Sequence, residues 1–127
     1  MTSKTQILIV EDDSDIRKML RTALANSDRE IREVDTAQAA LRAVKEKLPD
    51  ILLLDIGLPG YFDGFSLGQA LVDDPRRKNI KIVIVSAHDS HSYREHADRL
   101  GVVAYLVKPV SPLAVDELVR GLESAPN

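Results

Sequence analysis

The chain has 127 residues, of which 44% are apolar and 29% charged, with a net charge of −3, values that suit one globular domain around one core. So small a charge argues against nucleic acid or an anionic membrane as a direct partner, and the absence of cysteine excludes disulfides and thiolate metal sites. No apolar run approaches the ~20 residues of a membrane span, and residues 1–6 lack the apolar stretch of a secretory signal, so the expected location is the cytoplasm.

The first apolar run is Ile7-Leu8-Ile9-Val10. Three others resemble it: Ile51-Leu52-Leu53-Leu54, Ile82-Val83-Ile84-Val85 and residues 102–107. All four are too short for helices and rich in branched residues, the pattern of parallel strands buried on both faces. A fifth, more polar strand fits residues 30–35, where only Ile31 and Val34 are apolar, and that polarity suits a sheet edge.

Between the runs the apolar residues recur at helical spacing. Ile16, Met19, Leu20, Ala23 and Leu24 mark a first helix with Ser14 as its expected cap. Residues 37–48 are Ala-rich and end before Pro49. Phe65, Leu67, Ala70, Leu71 and Val72 mark a third helix, and residues 90–100 a fourth, stopped by Gly101. Ser111-Pro112 opens a fifth, with Ser as cap and Pro at the first helical position, followed by Leu113, Leu118, Val119 and Leu122. Five βα units in succession predict an α/β fold, a single doubly wound parallel sheet with helices on both faces. The basic trio Arg76, Arg77 and Lys78 is expected to be solvated.

In such a sheet, ligands sit beyond the carboxyl ends of the strands. The first run ends in Glu11-Asp12-Asp13, the third strand in Asp55, the fourth in Ser86 and the fifth in Lys108-Pro109. Parallel topology therefore brings several carboxylates, a hydroxyl and an ammonium to one edge. Clustered carboxylates raise one another's pKa unless a cation intervenes. A hard cation suits carboxylates plus a substrate phosphate, and a carboxylate can itself become an aspartyl-phosphate. Phosphoryl transfer asks chiefly for positioning and for neutralisation of the equatorial oxygens, which a metal, Lys108 and Ser86 can supply. Asp13 and Asp15 are expected at the start of the first helix, favoured by its dipole.

Ile7-Leu8-Ile9-Val10-Glu11-Asp12-Asp13, Leu54-Asp55-Ile56-Gly57-Leu58-Pro59, Asp63-Gly64, Val85-Ser86-Ala87 and Tyr105-Leu106-Val107-Lys108-Pro109, in this order and spacing, resemble the receiver domain of two-component response regulators. The resemblance covers essentially the whole chain, with residues 1–123 as the domain and 124–127 as a tail or linker start. It implies a flavodoxin-like, chemotaxis-regulator-like sheet of strand order 2-1-3-4-5. It implies Asp55 as the phospho-acceptor and Mg²⁺ or Mn²⁺ held by Glu11, Asp12, Asp55 and the backbone carbonyl of Gly57. Ser86 and Lys108 would bind the phosphoryl group, Tyr105 would be the switch aromatic, and the bond before Pro109 would be cis. The partner it implies is a sensor histidine kinase or phosphotransfer protein, with the surface of the fourth helix, fifth strand and fifth helix as the part that switches. The chain would act as an enzyme only on itself.

Three features depart from that pattern. Residues 59–64 are one residue longer than expected, Gly57 lacks a side chain, and His88 stands where a polar or acidic residue is usual. Gly57 and His88 flank the expected phosphate and are candidates for tuning its lifetime. A nucleotide binder of the same fold would need a hydroxyl- or glycine-rich loop after the first strand, where Glu11-Asp12-Asp13 stands instead. An aspartate-nucleophile phosphohydrolase would carry a second acid two residues after the nucleophile, and that position is Gly57. A receiver-like module that takes no phosphate, and one that is only a phosphate sink or relay, are the remaining alternatives.

Overall fold

The alternation of side chains along the strands builds two cores in this protein, one on each face of the sheet. The computed structural model describes residues 3–57, 63–77 and 79–124. Strands β1 (Thr5–Val10), β2 (Arg29–Val34), β3 (Ile51–Leu54), β4 (Lys81–Ser86) and β5 (Ala104–Val107) alternate with helices α1 (Ser14–Leu24), α2 (Ala37–Glu46), α3 (Gly64–Val72), α4 (His91–Leu100) and α5 (Pro112–Ser124). All strand pairs are parallel and the order is β2-β1-β3-β4-β5. Leu8, Val10, Leu52, Leu54, Ile82 and Ile84 pack with α2, α3 and α4. Their strand neighbours Ile7, Ile9, Ile51, Leu53, Val83 and Val85 pack with α1 and α5. A two-residue repeat sends successive side chains to opposite faces, so wholly apolar runs are what a sheet covered on both sides requires. Among the described residues no helix is long and apolar enough to cross a membrane.

Several local expectations shift. Asp13, not Ser14, caps α1: its Oδ1 accepts from the N–H groups of Asp15 and Ile16 at 2.9 and 3.1 Å. A carboxylate there also meets the positive end of the helix dipole. Helix α2 stops at Glu46, with Lys47 already extended. Leu48 precedes Pro49, whose ring disfavours helical backbone in the residue before it. Strand β5 begins at Ala104, and all its residues are half-buried instead of buried on both faces, because it lies at the sheet edge. Leu113, placed among the apolar residues of α5, is 66% exposed, and Val115 and Val119 make the buried face instead. Arg77 is not solvated. It is buried and pairs with Asp74 at 3.0 Å. The lengthened loop falls mostly in residues 58–62, which with Lys78 and the Arg76 side chain lie outside the described part.

Arg29, opening β2, is buried and holds the two ends of the molecule together. Its guanidinium donates to Leu24 O at 2.9 Å, Asp116 Oδ1 at 2.7 Å and Glu123 Oε1 at 2.7 Å. One side chain thereby satisfies a carbonyl at the end of α1 and ties it to α5, as a planar five-donor fork can.

Candidate functional site

The carboxyl ends of β1, β3, β4 and β5 converge on one edge, and backbone hydrogen bonds carry the ladder one residue past β1, β3 and β5. Glu11 N–H donates to Val34 O at 3.1 Å, Asp55 N–H to Val10 O at 3.0 Å and Lys108 N–H to Ser86 O at 2.8 Å. The side chains that follow are therefore held by sheet geometry and not by loops. Glu11 is 1% exposed, Asp55 6% and Ser86 0%, while Asp12 faces solvent.

Lys108 is the cation at the centre. Its Nζ lies 2.6 Å from Glu11 Oε1 and 3.2 Å from Asp55 Oδ2. The contact to Glu11 is an ion pair without a well-directed hydrogen bond, so Glu11 Oε1 remains a buried oxygen short of a donor. Glu11 Oε2 accepts from Asp13 N–H at 3.1 Å, and Asp55 Oδ1 accepts from Gly57 N–H at 2.9 Å. Burial pushes the Glu11 carboxyl up to about 7; the Lys108 ammonium and the Asp13 N–H pull it down, and Asp55 adds to the rise. For Lys108, burial opposes the charged form, yet the close contact with the Glu11 carboxylate and the nearby Asp55 charge outweigh it, and its pKa lies above 10.5.

Glu11, Asp12 and Asp55 each bring a carboxylate oxygen within 4.8 Å of the others'. The donors are all hard oxygens, one of them buried and under-satisfied, with an exposed carboxylate on the open side. That set fits a divalent cation that prefers oxygen ligands and retains water. Two buried carboxylates beside one ammonium are an excess of negative charge that a second cation would relieve.

The same edge joins Ser86, His88 and Tyr105. Ser86 Oγ accepts from His88 N–H at 3.0 Å, and the Tyr105 hydroxyl donates to His88 O at 2.6 Å. Burial raises the Tyr105 phenol above its usual 10, against a smaller pull from the Ser86 hydroxyl. Arg94 lies over the Tyr105 ring, 4.7 Å from its centroid. His88 lies in the β4–α4 loop, before α4 begins. The bond between Lys108 and Pro109 is cis.

Strand topology read from the sequence put Glu11, Asp12, Asp55, Ser86, Lys108 and Pro109 at this edge, and the family resemblance alone added Gly57 and Tyr105. Sequence reasoning missed Arg17, which donates to Glu11 O at 2.9 Å and holds the backbone of the acidic pair. Nothing in a helical Arg signals that it folds back onto the preceding loop. It also missed why residue 64 is glycine. A Cβ there would lie 2.5 Å from both Asp55 O and Ile56 Cα, so α3 begins against the backbone of the strand end.

The fold and this arrangement of acid pair, central aspartate, hydroxyl and lysine define a receiver domain. Residues 7–120 match the family model described as the response regulator receiver domain. The chain belongs to that family and is the response regulator receiver domain of a two-component system. It is 31% identical over 118 residues to an uncharacterised 14.6 kDa protein of Leptolyngbya boryana, covering 93% of this chain and 89% of that one. It is 35% identical over 120 residues to the response regulator PleD of Caulobacter vibrioides, covering 92% of this chain but only 26% of PleD. Its structure is similar to that of a protein from Chloroflexus aurantiacus, described as a putative response regulator, with a TM-score of 0.87, 28% identity and coverage of 97% and 100% of the two chains.

Proposed function

We propose that Asp55 accepts a phosphoryl group from a sensor histidine kinase or a phosphotransfer protein, in a reaction that depends on Mg²⁺ or Mn²⁺ held by Glu11, Asp12, Asp55 and the carbonyl of Gly57. The observation that carries this is the Lys108 ammonium at 3.2 Å from Asp55 Oδ2 inside a buried carboxylate cluster. An ammonium so placed can meet both the ground-state carboxylate and a phosphoryl oxygen attached to it.

One Asp55 carboxylate oxygen attacks phosphorus, the bond from phosphorus to the donor breaks, and the donor leaves with the electron pair, so an acyl phosphate forms. A divalent cation held by Glu11, Asp12, Asp55 and the Gly57 carbonyl would supply positive charge to the phosphoryl oxygens. Lys108 supplies a second positive charge. The Ser86 hydroxyl donates to a phosphoryl oxygen while its lone pairs still accept from His88 N–H. Gly57 N–H fixes the carboxylate orientation. No side chain stands two residues after Asp55 to serve as general acid for turnover on other phosphate esters, which supports self-phosphorylation and self-hydrolysis as the only catalysis.

Occupancy of Asp55 then draws on Ser86, and through His88 on Tyr105 and α4. Helix α4 buries only Ala97 and Leu100, so it is lightly held, as a reporting element has to be.

The test is acetyl phosphate with Mg²⁺, followed by intact-mass measurement. One added phosphoryl group is expected, lost in Asp55→Asn; equal labelling of that variant would overturn the assignment.

A further inference from the structure

Four aromatic rings form a column that begins beside Asp55 and ends between α3 and α4. His88 stacks on Tyr93 with centroids 4.6 Å apart and planes at 13°. Tyr93 stacks on Phe65 at 5.7 Å and 22°, and Phe65 on His96 at 3.9 Å and 11°. The column therefore crosses from the β4–α4 loop onto α4, over to α3 and back to α4.

Its first ring and the acceptor both border the position that a side chain at residue 57 would take. A methyl built on Gly57 would sit 3.4 Å from Asp55 Oδ1 and 3.7 Å from His88 Nε2. The missing side chain at residue 57 is thus what lets an imidazole nitrogen and the acceptor carboxylate face the same space. A phosphoryl group on Asp55 is a near-dianion with three strong acceptor oxygens. A neutral imidazole carries one N–H donor, and a charge-assisted hydrogen bond is about twice as strong as a neutral one.

We propose that His88 is a positioning residue that reads the phosphoryl group directly: its Nε2–H donates to a phosphoryl oxygen above Gly57, and the ring's displacement along Tyr93 carries occupancy of Asp55 through Phe65 to His96. This rests on Asp55 being the acceptor, and it adds α3 to the elements that respond. Stacked rings prefer particular offsets, so a shift of the first ring changes the best placement of the next. The backbone of His88 reinforces the coupling. Its N–H is held by Ser86 Oγ and its carbonyl by the Tyr105 hydroxyl, so both switch side chains pull on the residue that starts the column. The nearby alternative route is the direct packing of Gly64 on Asp55, which would reach α3 without the rings.

Histidine ring NMR separates these routes, because the chain has only three histidines. His91 is exposed and pairs with Glu95 outside the column, so it serves as the internal control. Beryllium trifluoride with Mg²⁺ is added as the phosphoryl mimic at fixed pH. In wild type the His88 and His96 ring signals should both move, and the His91 signal should stay. In Tyr93→Leu, His88 should still move while the His96 shift falls by at least half; Tyr93→Phe, which keeps a ring, should restore it. In His88→Phe, compared at equal occupancy read from the Lys108 amide, the His96 shift should also fall by at least half. A stationary His96 in wild type that has taken up the mimic, or a full His96 shift in Tyr93→Leu or His88→Phe, overturns the proposal while leaving Asp55 as acceptor. Failure of wild type to take up the mimic at all would overturn both readings.

Discussion

Lys108 Nζ stands 2.6 Å from Glu11 Oε1, although the two residues lie at opposite ends of the chain and on strands that are not neighbours. The ammonium spans the gap between β1 and β5 across the ends of β3 and β4, and among the described residues it is the one cation paired with the two buried carboxylates.

Removing that charge should separate metal binding from phosphoryl transfer. In Lys108→Ala, the carboxylates lose a competing cation, so Mg²⁺ should bind at least as tightly as in wild type. Phosphorylation by acetyl phosphate should slow by on the order of 10²-fold, the usual cost of one lost donor to a developing charge. A titration of Mg²⁺ and a mass-resolved time course measure the two effects. An unchanged rate would remove Lys108 from the transfer step.

Asp12 should show the opposite pattern. It is exposed, so Asp12→Ala should leave the fold's stability within about 0.5 kcal/mol of wild type. Mg²⁺ affinity should fall by at least about tenfold, and phosphorylation with it. Equal Mg²⁺ affinity in variant and wild type would show that the acidic pair has another role.

The glycines give a graded set. At Gly64 an added methyl meets backbone at 2.5 Å, which cannot turn aside, so Gly64→Ala should destabilise by about 1–3 kcal/mol or more and displace Asp55. Gly101 has open space but φ +75, so Gly101→Ala should cost about 1–2 kcal/mol. Gly121 lies within α5 with nothing near it, and Gly121→Ala should stabilise by about 0.5–1 kcal/mol. Gly57→Ala meets only ordinary contacts and should keep its stability, yet it narrows the space beside Asp55 Oδ1 and should lengthen the life of phospho-Asp55. Urea denaturation orders the first three, and the decay of the phosphorylated mass checks the fourth.

Acid should loosen the molecule at Arg29. The hydrogen bond from Arg29 holds the Glu123 carboxyl below its usual 4.5, and Arg120 followed by Arg29 holds Asp116 below 3.8. Groups with depressed folded-state pKa contribute stability above their unfolded values, and that stability disappears as pH falls through the folded ones. Wild type should therefore lose stability between about pH 5 and about pH 3. Arg29→Met should be less stable at neutral pH by about 1–3 kcal/mol and should show a shallower loss over that acid range. Parallel pH profiles would count against this account of the network.

Much of the site was legible because parallel topology converts a position in the chain into a position in space. Once Ile7–Val10, Ile51–Leu54 and Ile82–Val85 are taken as strands buried on both faces, Glu11, Asp55 and Ser86 must share one edge, and Lys108 joins them from the fourth apolar run. Wholly apolar runs flanked by acids carry that information without any partner. Local competition was less legible: Asp13 and Ser14 are both good caps, and only the hydrogen bonds of the first turn chose Asp13.

What the tertiary structure alone decided is everything set by packing between helices. His88, Tyr93, Phe65 and His96 follow no common periodicity, and Phe65 enters the stack only because α3 lies against α4, where Gly68 allows Leu100 to within 3.0 Å of its missing Cβ. The sequence determined which groups stand at the strand ends, since side-chain alternation and strand direction are local properties of the backbone. It put His88 beside the acceptor but could not determine that Tyr93, Phe65 and His96 continue the stack from it, because that depends on how α3 and α4 settle against each other, a balance of contacts between residues far apart in the chain.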